Sequence, residues 1–291
     1  MKILVPLDGS RLADGILAHA RRMGRWAGVE MHLLTVLDAQ RGSQADREEA
    51  FAEARRHLAS CAELLASDGI ETKTFVVEGD PAAQILHHLE RDAYDLVAMT
   101  THGRSGLSRW VRGSVAERVL RHAPVPLLLA NPRGLVKPDD SVRFGKILVP
   151  LDGSKRSAAV LDRVLPFALD SESTLVLVHV DTPWHPGVHP VPEVARRHAQ
   201  QRAEAALDDV RCEVEERGVK KTVVLGRYGE DEAREILAAV EEEEPDLVAM
   251  STHGRSGLDR FRFGSVAEKV LRDVRAPLFL DPTSWRTRKE P

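Results

Sequence analysis

The sequence predicts an α/β protein built from two tandem open, parallel, five-stranded sheets with helices on both faces. Three observations carry this expectation. First, the chain repeats itself: Lys2 to Ser10 and Lys146 to Ser154 share the nine letters K-I-L-V-P-L-D-G-S. D-L-V-A-M, T-H-G-R-S-G-L and G-S-V-A-E, beginning at Asp95, Thr101 and Gly113, recur at Asp246, Thr252 and Gly264. Second, short runs rich in Val, Ile and Leu alternate with longer stretches of helical period, the pattern of strands joined by crossover helices. Third, those runs lack a two-residue alternation, as strands do when helices cover both faces of a sheet.

In the first copy the strands are expected at 3–7, 31–37, 74–77, 95–100 and 125–130, reading I-L-V-P-L, M-H-L-L-T-V-L, T-F-V-V, D-L-V-A-M-T and V-P-L-L-L-A. Between them helices are expected at 11–27, 44–67, 81–91 and 114–122, where the apolar positions follow helical spacing. Ser10 can cap the first of these. The second copy repeats the order, with strands at 147–151, 174–180, 222–225, 246–251 and 277–280. The first repeated block recurs after 144 residues and the later ones after 151, so the second copy carries extra residues in its middle. The stretch 182–192, rich in Pro and His, is the loop candidate for them. Residues 131–145 contain N-P-R-G and K-P-D-D, which continue neither a helix nor a central strand and read as a linker. The domains are therefore set at 1–138 and 145–291, within the usual range of roughly 100–200 residues each.

Composition narrows the function. A formal net charge of −4, with Lys and Arg spread among Asp and Glu, offers no basic stripe for nucleic acid. No apolar run approaches the ~18 residues of a membrane span, and no signal-peptide core opens the sequence, so the cytoplasm is the expected location. Cys61 and Cys212 sit in helical stretches of opposite copies and are expected to be reduced. His185 and His189 have a tempting spacing, but Pro186 and Pro190 deny the helix that would bring them together, and no metal site is expected there. Glu241 to Glu244 reads as a solvated helix end before Pro245.

Ligands of open parallel sheets bind beyond the C-terminal strand ends, where the strand order reverses. Two segments of each copy lie at such ends. One is the P-L-D-G-S turn, with Pro6, Leu7 and Asp8 in the first copy and Pro150, Leu151 and Asp152 in the second. The other follows the fourth strand, from Thr100 or Ser251, and contains Gly103 and Arg104 or Gly254 and Arg255. It ends in Gly113, Ser114 and Val115, or Gly264, Ser265 and Val266, which open the next helix. Glycine permits close backbone approach, the helix N-terminus suits phosphate oxygens, and the arginines can add charge-assisted contacts. An aspartate at the neighbouring strand end suits ribose hydroxyls or an amine. Carboxylate and glycine cradle together describe a nucleotide site. A P-loop and a G-x-G-x-x-G turn are both absent, which disfavours a P-loop ATPase or a Rossmann dehydrogenase. His102 and His253, within the loops, read more simply as exposed turn residues.

At these residues the chain resembles the universal stress protein family, over essentially its whole length and twice. The family's ATP-binding members carry G-x2-G-x9-G-[S/T] after the fourth strand. Gly103 with Gly113-Ser114, and Gly254 with Gly264-Ser265, match the second and third elements, whereas Thr100 and Ser251 stand at the first glycine. The resemblance implies an adenine nucleotide α-hydrolase-like fold of strand order 3-2-1-4-5, glycines and serines around the phosphates, and Asp8 and Asp152 at the ribose or adenine end. It also implies that Val36 and Val180 lend backbone to adenine, and that the fifth-strand edges of the two domains meet in an internal pseudo-dimer, with a homodimer also open. The expected ligand is ATP, with ADP or AMP as alternatives and Mg accompanying the nucleotide. The expected role is a non-enzymatic or very slow nucleotide-dependent regulator in the stress response. Slow ATP hydrolysis and a scaffold that binds no nucleotide are the alternatives, the last favoured by Thr100 and Ser251.

Overall fold

A computed structural model of the chain describes residues 1–24, 28–38, 43–101, 114–131, 144–182, 192–252 and 264–282. Its contacts divide it into two units, Met1–Val142 and Arg143–Pro291.

Unit one runs β1 (Lys2–Pro6), α1 (Arg11–Asp14), α2 (Ile16–Gly24), β2 (Glu30–Leu37), α3 (Gln44–Ala66), β3 (Glu71–Glu78), α4 (Pro81–Arg91), β4 (Leu96–Thr100), α5 (Ser114–His122) and β5 (Leu127–Ala130). Every pairing in it is parallel, in the order β3-β2-β1-β4-β5. The chain steps outward from β1 to β3, then returns to the other side of β1 as β4. That reversal leaves a crevice between the C-terminal ends of β1 and β4. Ile3, Leu4 and Val5 of β1 are fully buried and β4 is buried along its whole length, as central strands covered on both faces must be.

Unit two repeats the plan with β6 (Lys146–Pro150), α6 (Lys155–Ala158), α7 (Val160–Asp170), β7 (Thr174–Asp181), α8 (Glu193–Ala205), α9 (Asp208–Glu216), β8 (Lys221–Tyr228), α10 (Glu232–Glu243), β9 (Leu247–Ser251), α11 (Ser265–Asp273) and β10 (Leu278–Asp281). Its parallel order is β8-β7-β6-β9-β10. Register is kept between the copies: Ile3 and Leu4 pair with Leu96 and Val97, and Ile147 and Leu148 with Leu247 and Val248.

The differences from the sequence reading have local causes. The third strands are longer than expected, because β3 and β8 each hold an eight-residue ladder to the neighbouring strand although their outer residues are polar and exposed. The fifth strands begin after Pro126 and Pro277, which lack the N–H a ladder needs. The first helix is broken at Gly15 into α1 and α2, and the long helix of unit one is two helices, α8 and α9, in unit two. Of the proline-rich stretch, residues 183–191, including His185 and His189, lie outside the described residues.

Candidate functional site

The P-L-D-G-S segment is a built turn in both units. Asp8 Oδ1 accepts from the Ser10 N–H at 2.9 Å, and Ser10 Oγ accepts from the Ala13 N–H at 3.1 Å as the N-cap of α1. Asp152, Ser154 and Ser157 repeat both bonds at 2.9 and 3.1 Å. Gly9 and Gly153 stand at φ of 77° and 79°, the left-handed region that glycine enters without a Cβ clash. The turn thus holds each aspartate beside the end of the central strand. The adjacent residue is fixed too: Leu7 N–H donates to Leu34 O and Leu151 N–H to Val178 O, both at 2.8 Å.

In unit two these strand ends surround a cavity of about 270 Å³, near the lower end of the ~300–1,000 Å³ range of small-molecule pockets. Pro150, Leu151 and Asp152 line it from β6, Val178, His179 and Val180 from β7, and Met250, Ser251 and Thr252 from β9. Ser157 of α6, Glu232 and Ile236 of α10, and Gly264, Ser265, Val266 and Ala267 at the start of α11 complete the wall. All the second-copy residues expected from the sequence that are described, namely Pro150, Leu151, Asp152, Val180, Ser251, Gly264, Ser265 and Val266, therefore share one cavity. Gly254 and Arg255 lie outside the described residues, as does His253.

The start of α11 is shaped by a close backbone approach. Gly264 N–H donates to Thr252 O at 2.9 Å, and a Cβ on Gly264 would stand 2.8 Å from that same oxygen. Glycine is required there by space, since its φ of −62° suits any residue. The N-cap Gly264 has no side chain to cap α11, and the first turn of that helix, with its positive dipole end, forms part of the cavity wall. The charged residues among the described lining, Asp152 and Glu232, are both acidic. The site is therefore polarised between carboxylates and a helix N-terminus, with Leu151, Val178, Val180, Ile236 and Met250 as apolar wall.

Three polar lining residues that differ between the copies, His179, Ser157 and Glu232, escaped the sequence reading. His179 is buried, and its Nδ1 donates to Leu151 O at 2.7 Å; a carbonyl only accepts, so Nδ1 carries a proton. The 144-residue offset places Thr35 at the same position in unit one, where its hydroxyl donates to Leu7 O at 3.0 Å. Ser157, whose hydroxyl accepts from the Asp152 N–H at 3.2 Å, has Ala13 as its counterpart. Glu232 follows the N-cap Asp231 as Pro81 follows the N-cap Asp80. Laying one copy on the other shows all three as mismatches near strand or helix ends.

In unit one, Pro6, Leu7 and Asp8 leave β1, Val36 lies near the end of β2, Thr100 ends β4, and Ser114 and Val115 open α5. Thr100 and Ser251 are 6% and 7% exposed and close their strands in matching positions. Gly103, Arg104, Gly113 and His102 lie outside the described residues. The helix that follows each loop is tied down alike: Arg118 of α5 pairs with Asp80 at 2.7 Å, and Lys269 of α11 with Asp231 at 2.9 Å.

A duplicated parallel α/β unit, with a polarised cavity of small-ligand size at the strand-order reversal of unit two, defines a protein of the doubly wound class. Comparison with known proteins gives that class its family. The sequence profile described as the universal stress protein family matches residues 1–131 and again 143–281. The chain belongs to the universal stress protein family and carries two copies of its domain. It is 31% identical over 138 residues to a universal stress protein of Methanocaldococcus jannaschii, covering 45% of this chain and 81% of that protein. It is 28% identical over 191 residues to one of Mycobacterium tuberculosis, covering 64% of this chain and 61% of that protein. The structure of a universal stress protein from Archaeoglobus fulgidus superposes with a TM-score of 0.71 at 22% identity, covering 96% of this chain and 97% of that one, and so shares its fold. No described helix is long and apolar enough to cross a membrane.

Proposed function

We propose that the protein binds ATP at the strand ends of each unit and acts as a nucleotide-dependent regulator in the stress response of the cytoplasm. The observation that carries this reading is the cavity of unit two, which joins Asp152 to the start of α11. The residues fit the ligand. Asp152 accepts hydrogen bonds from ribose hydroxyls or the adenine amine, the apolar wall takes the base, and the N-terminus of α11 takes phosphate oxygens. The absence of a Cβ on Gly264 lets α11 begin against the Thr252 carbonyl at the end of β9. Magnesium neutralises phosphate charge when it accompanies the nucleotide, and Asp152 and Glu232 are the cavity carboxylates suited to a hard cation. The regulatory step is a population shift: a loop that contacts nucleotide is read by a partner in one of two states.

Titration calorimetry of nucleotide-free protein with ATP and magnesium tests the reading. Two binding sites per chain support it. No binding of ATP, ADP or AMP overturns it in favour of a scaffold closed by Thr100 and Ser251. Slow hydrolysis is the second reading, favoured by Glu232, a cavity carboxylate of the kind that orients water against a γ-phosphate. Turnover that survives Glu232→Gln unchanged excludes that role.

A further inference from the structure

Away from the strand-end site, unit one gathers Asp14 of α1 with His57 and Cys61 of α3. One ligand atom of each lies within 4.8 Å of the others. His57 Nε2 is 3.1 Å from an Asp14 carboxylate oxygen and 3.7 Å from Cys61 Sγ. His57 and Cys61 are four residues apart, so successive turns of α3 present them on one face, and Asp14 reaches them from a separate helix.

We propose that Asp14, His57 and Cys61 form a zinc site with three protein ligands and a fourth position for water. The two separations from Nε2, 3.7 Å to sulfur and 3.1 Å to oxygen, suit such an ion, and sulfur and oxygen lie within 4.8 Å of each other. Bonds of about 2.3 Å to sulfur and about 2.0 Å to nitrogen and oxygen, at tetrahedral angles, put sulfur and nitrogen about 3.5 Å apart and nitrogen and oxygen about 3.3 Å apart. Hydrogen bonding alone holds the cluster weakly: the carboxylate takes the proton on Nε2, and the sulfur then meets that nitrogen only as a poor second acceptor. Among the described residues, His57 Nδ1 is also buried without a hydrogen-bond partner. A single cation meets both contacts to Nε2 at once, with the ring nitrogen, the thiolate and the carboxylate all as donors.

A cysteine nucleophile is a poorer reading. A relay places thiol and carboxylate on opposite ring nitrogens, and here both meet Nε2. Burial, and then the Asp14 carboxylate, push the Cys61 thiol up to about 11, the reverse of an activated cysteine. The Asp14 and His57 side chains are 33% and 25% exposed, which leaves an entry path for the ion. The site belongs to unit one, because the 144-residue offset puts Ala158 at the place of Asp14.

The test uses the full chain, stripped with chelator and reduced. Cobalt(II) is added first and then displaced by zinc. One equivalent of cobalt should produce a thiolate-to-metal charge-transfer band with tetrahedral d–d absorption. Cys61→Ser should abolish the band, and Asp14→Asn or His57→Ala should weaken zinc binding tenfold or more, while Cys212→Ser leaves both unchanged. Zinc should also shield Cys61 from alkylation in the unaltered chain, a readout that needs no variant to fold. Cobalt binding without a thiolate band, equal zinc affinity in Cys61→Ser, or alkylation of Cys61 at the same rate with and without zinc would each overturn the assignment.

Discussion

Replacing Gly264 by Ala adds one methyl group at the point where α11 meets the end of β9. That methyl would stand 2.8 Å from Thr252 O, closer than carbon and oxygen can pack, and the obstacle is backbone that cannot rotate away. Either α11 or the strand end must move. The Gly264 N–H to Thr252 O bond of 2.9 Å is then stretched or lost, a net cost of about 1 kcal/mol, and overpacking brings the total to roughly 1–3 kcal/mol. At about 2–4 °C per kcal/mol for a unit of this size, melting should fall by roughly 2–12 °C. Ligand binding should suffer separately, since the displaced groups are the helix N–H donors assigned to phosphate. A tenfold loss of ATP affinity, about 1.4 kcal/mol, is the smallest effect consistent with that role. Calorimetry with ATP and magnesium, beside a melting curve, reads both quantities. In a chain with two sites the variant should keep the unit-one isotherm and lose or weaken the other. Two unchanged sites together with an unchanged melting temperature would refute both the steric reasoning and the assignment of α11.

Asp152→Asn keeps an oxygen able to accept from the Ser154 N–H, so it should leave the urea midpoint nearly unchanged while lowering ATP affinity about tenfold; equal affinity would reduce Asp152 to a turn residue. His19 is 2% exposed, and both its ring nitrogens lack partners among the described residues. Burial, then Arg22, lower its pKa to about 4, so the fold holds the ring neutral and stability falls as pH drops from about 6.5 towards 4. His19→Leu should flatten that slope, which is worth on the order of 2 kcal/mol between pH 7 and pH 5, in urea denaturation at those two values; an unaltered slope would place the sensitivity elsewhere. Glu30 is held down to about 2 by hydrogen bonds from Lys73 and then His32, so its contribution is complete above about pH 4.5 and is lost as pH falls to about 2. Glu30→Gln should remove that part of the acid transition, and an identical acid midpoint in the variant would show that the contacts contribute nothing.

Sequence and structure agree most closely where local and global signals coincide. The fully apolar run Ile3, Leu4, Val5 is unambiguous because it needs no alternation to be a central strand, and Ser10 caps α1 because its hydroxyl reaches an N–H three residues on. β3 was legible only in its apolar part, since the exposed Lys73 says nothing of the backbone ladder that holds it against His32. The strand-end aspartates and Gly264 announced themselves through duplication. His179, Ser157 and Glu232 did not, because they lie where the copies differ and acquire meaning only when three strand ends and α10 are brought around one cavity. Asp14 lies 43 residues before His57, and no spacing rule links them; the contact exists because α1 and α3 meet in space.

The paired substitutions of His179 for Thr35, Ser157 for Ala13 and Glu232 for Pro81 bear on how the chain responds to its ligand. They fall on a common frame, with the same turns, the same register and equivalent ion pairs securing the helix after each loop. On the proposed nucleotide-binding reading, the two units are receptors that differ while staying locked at one-to-one stoichiometry in one polypeptide. Two identical independent sites fill over the same narrow span of ligand concentration. Two unequal ones fill in succession, so a half-occupied chain would persist as a distinct intermediate and the response would be graded instead of single-stepped. The ratio of the two receptors would then be set by sequence, with no separate control of their expression.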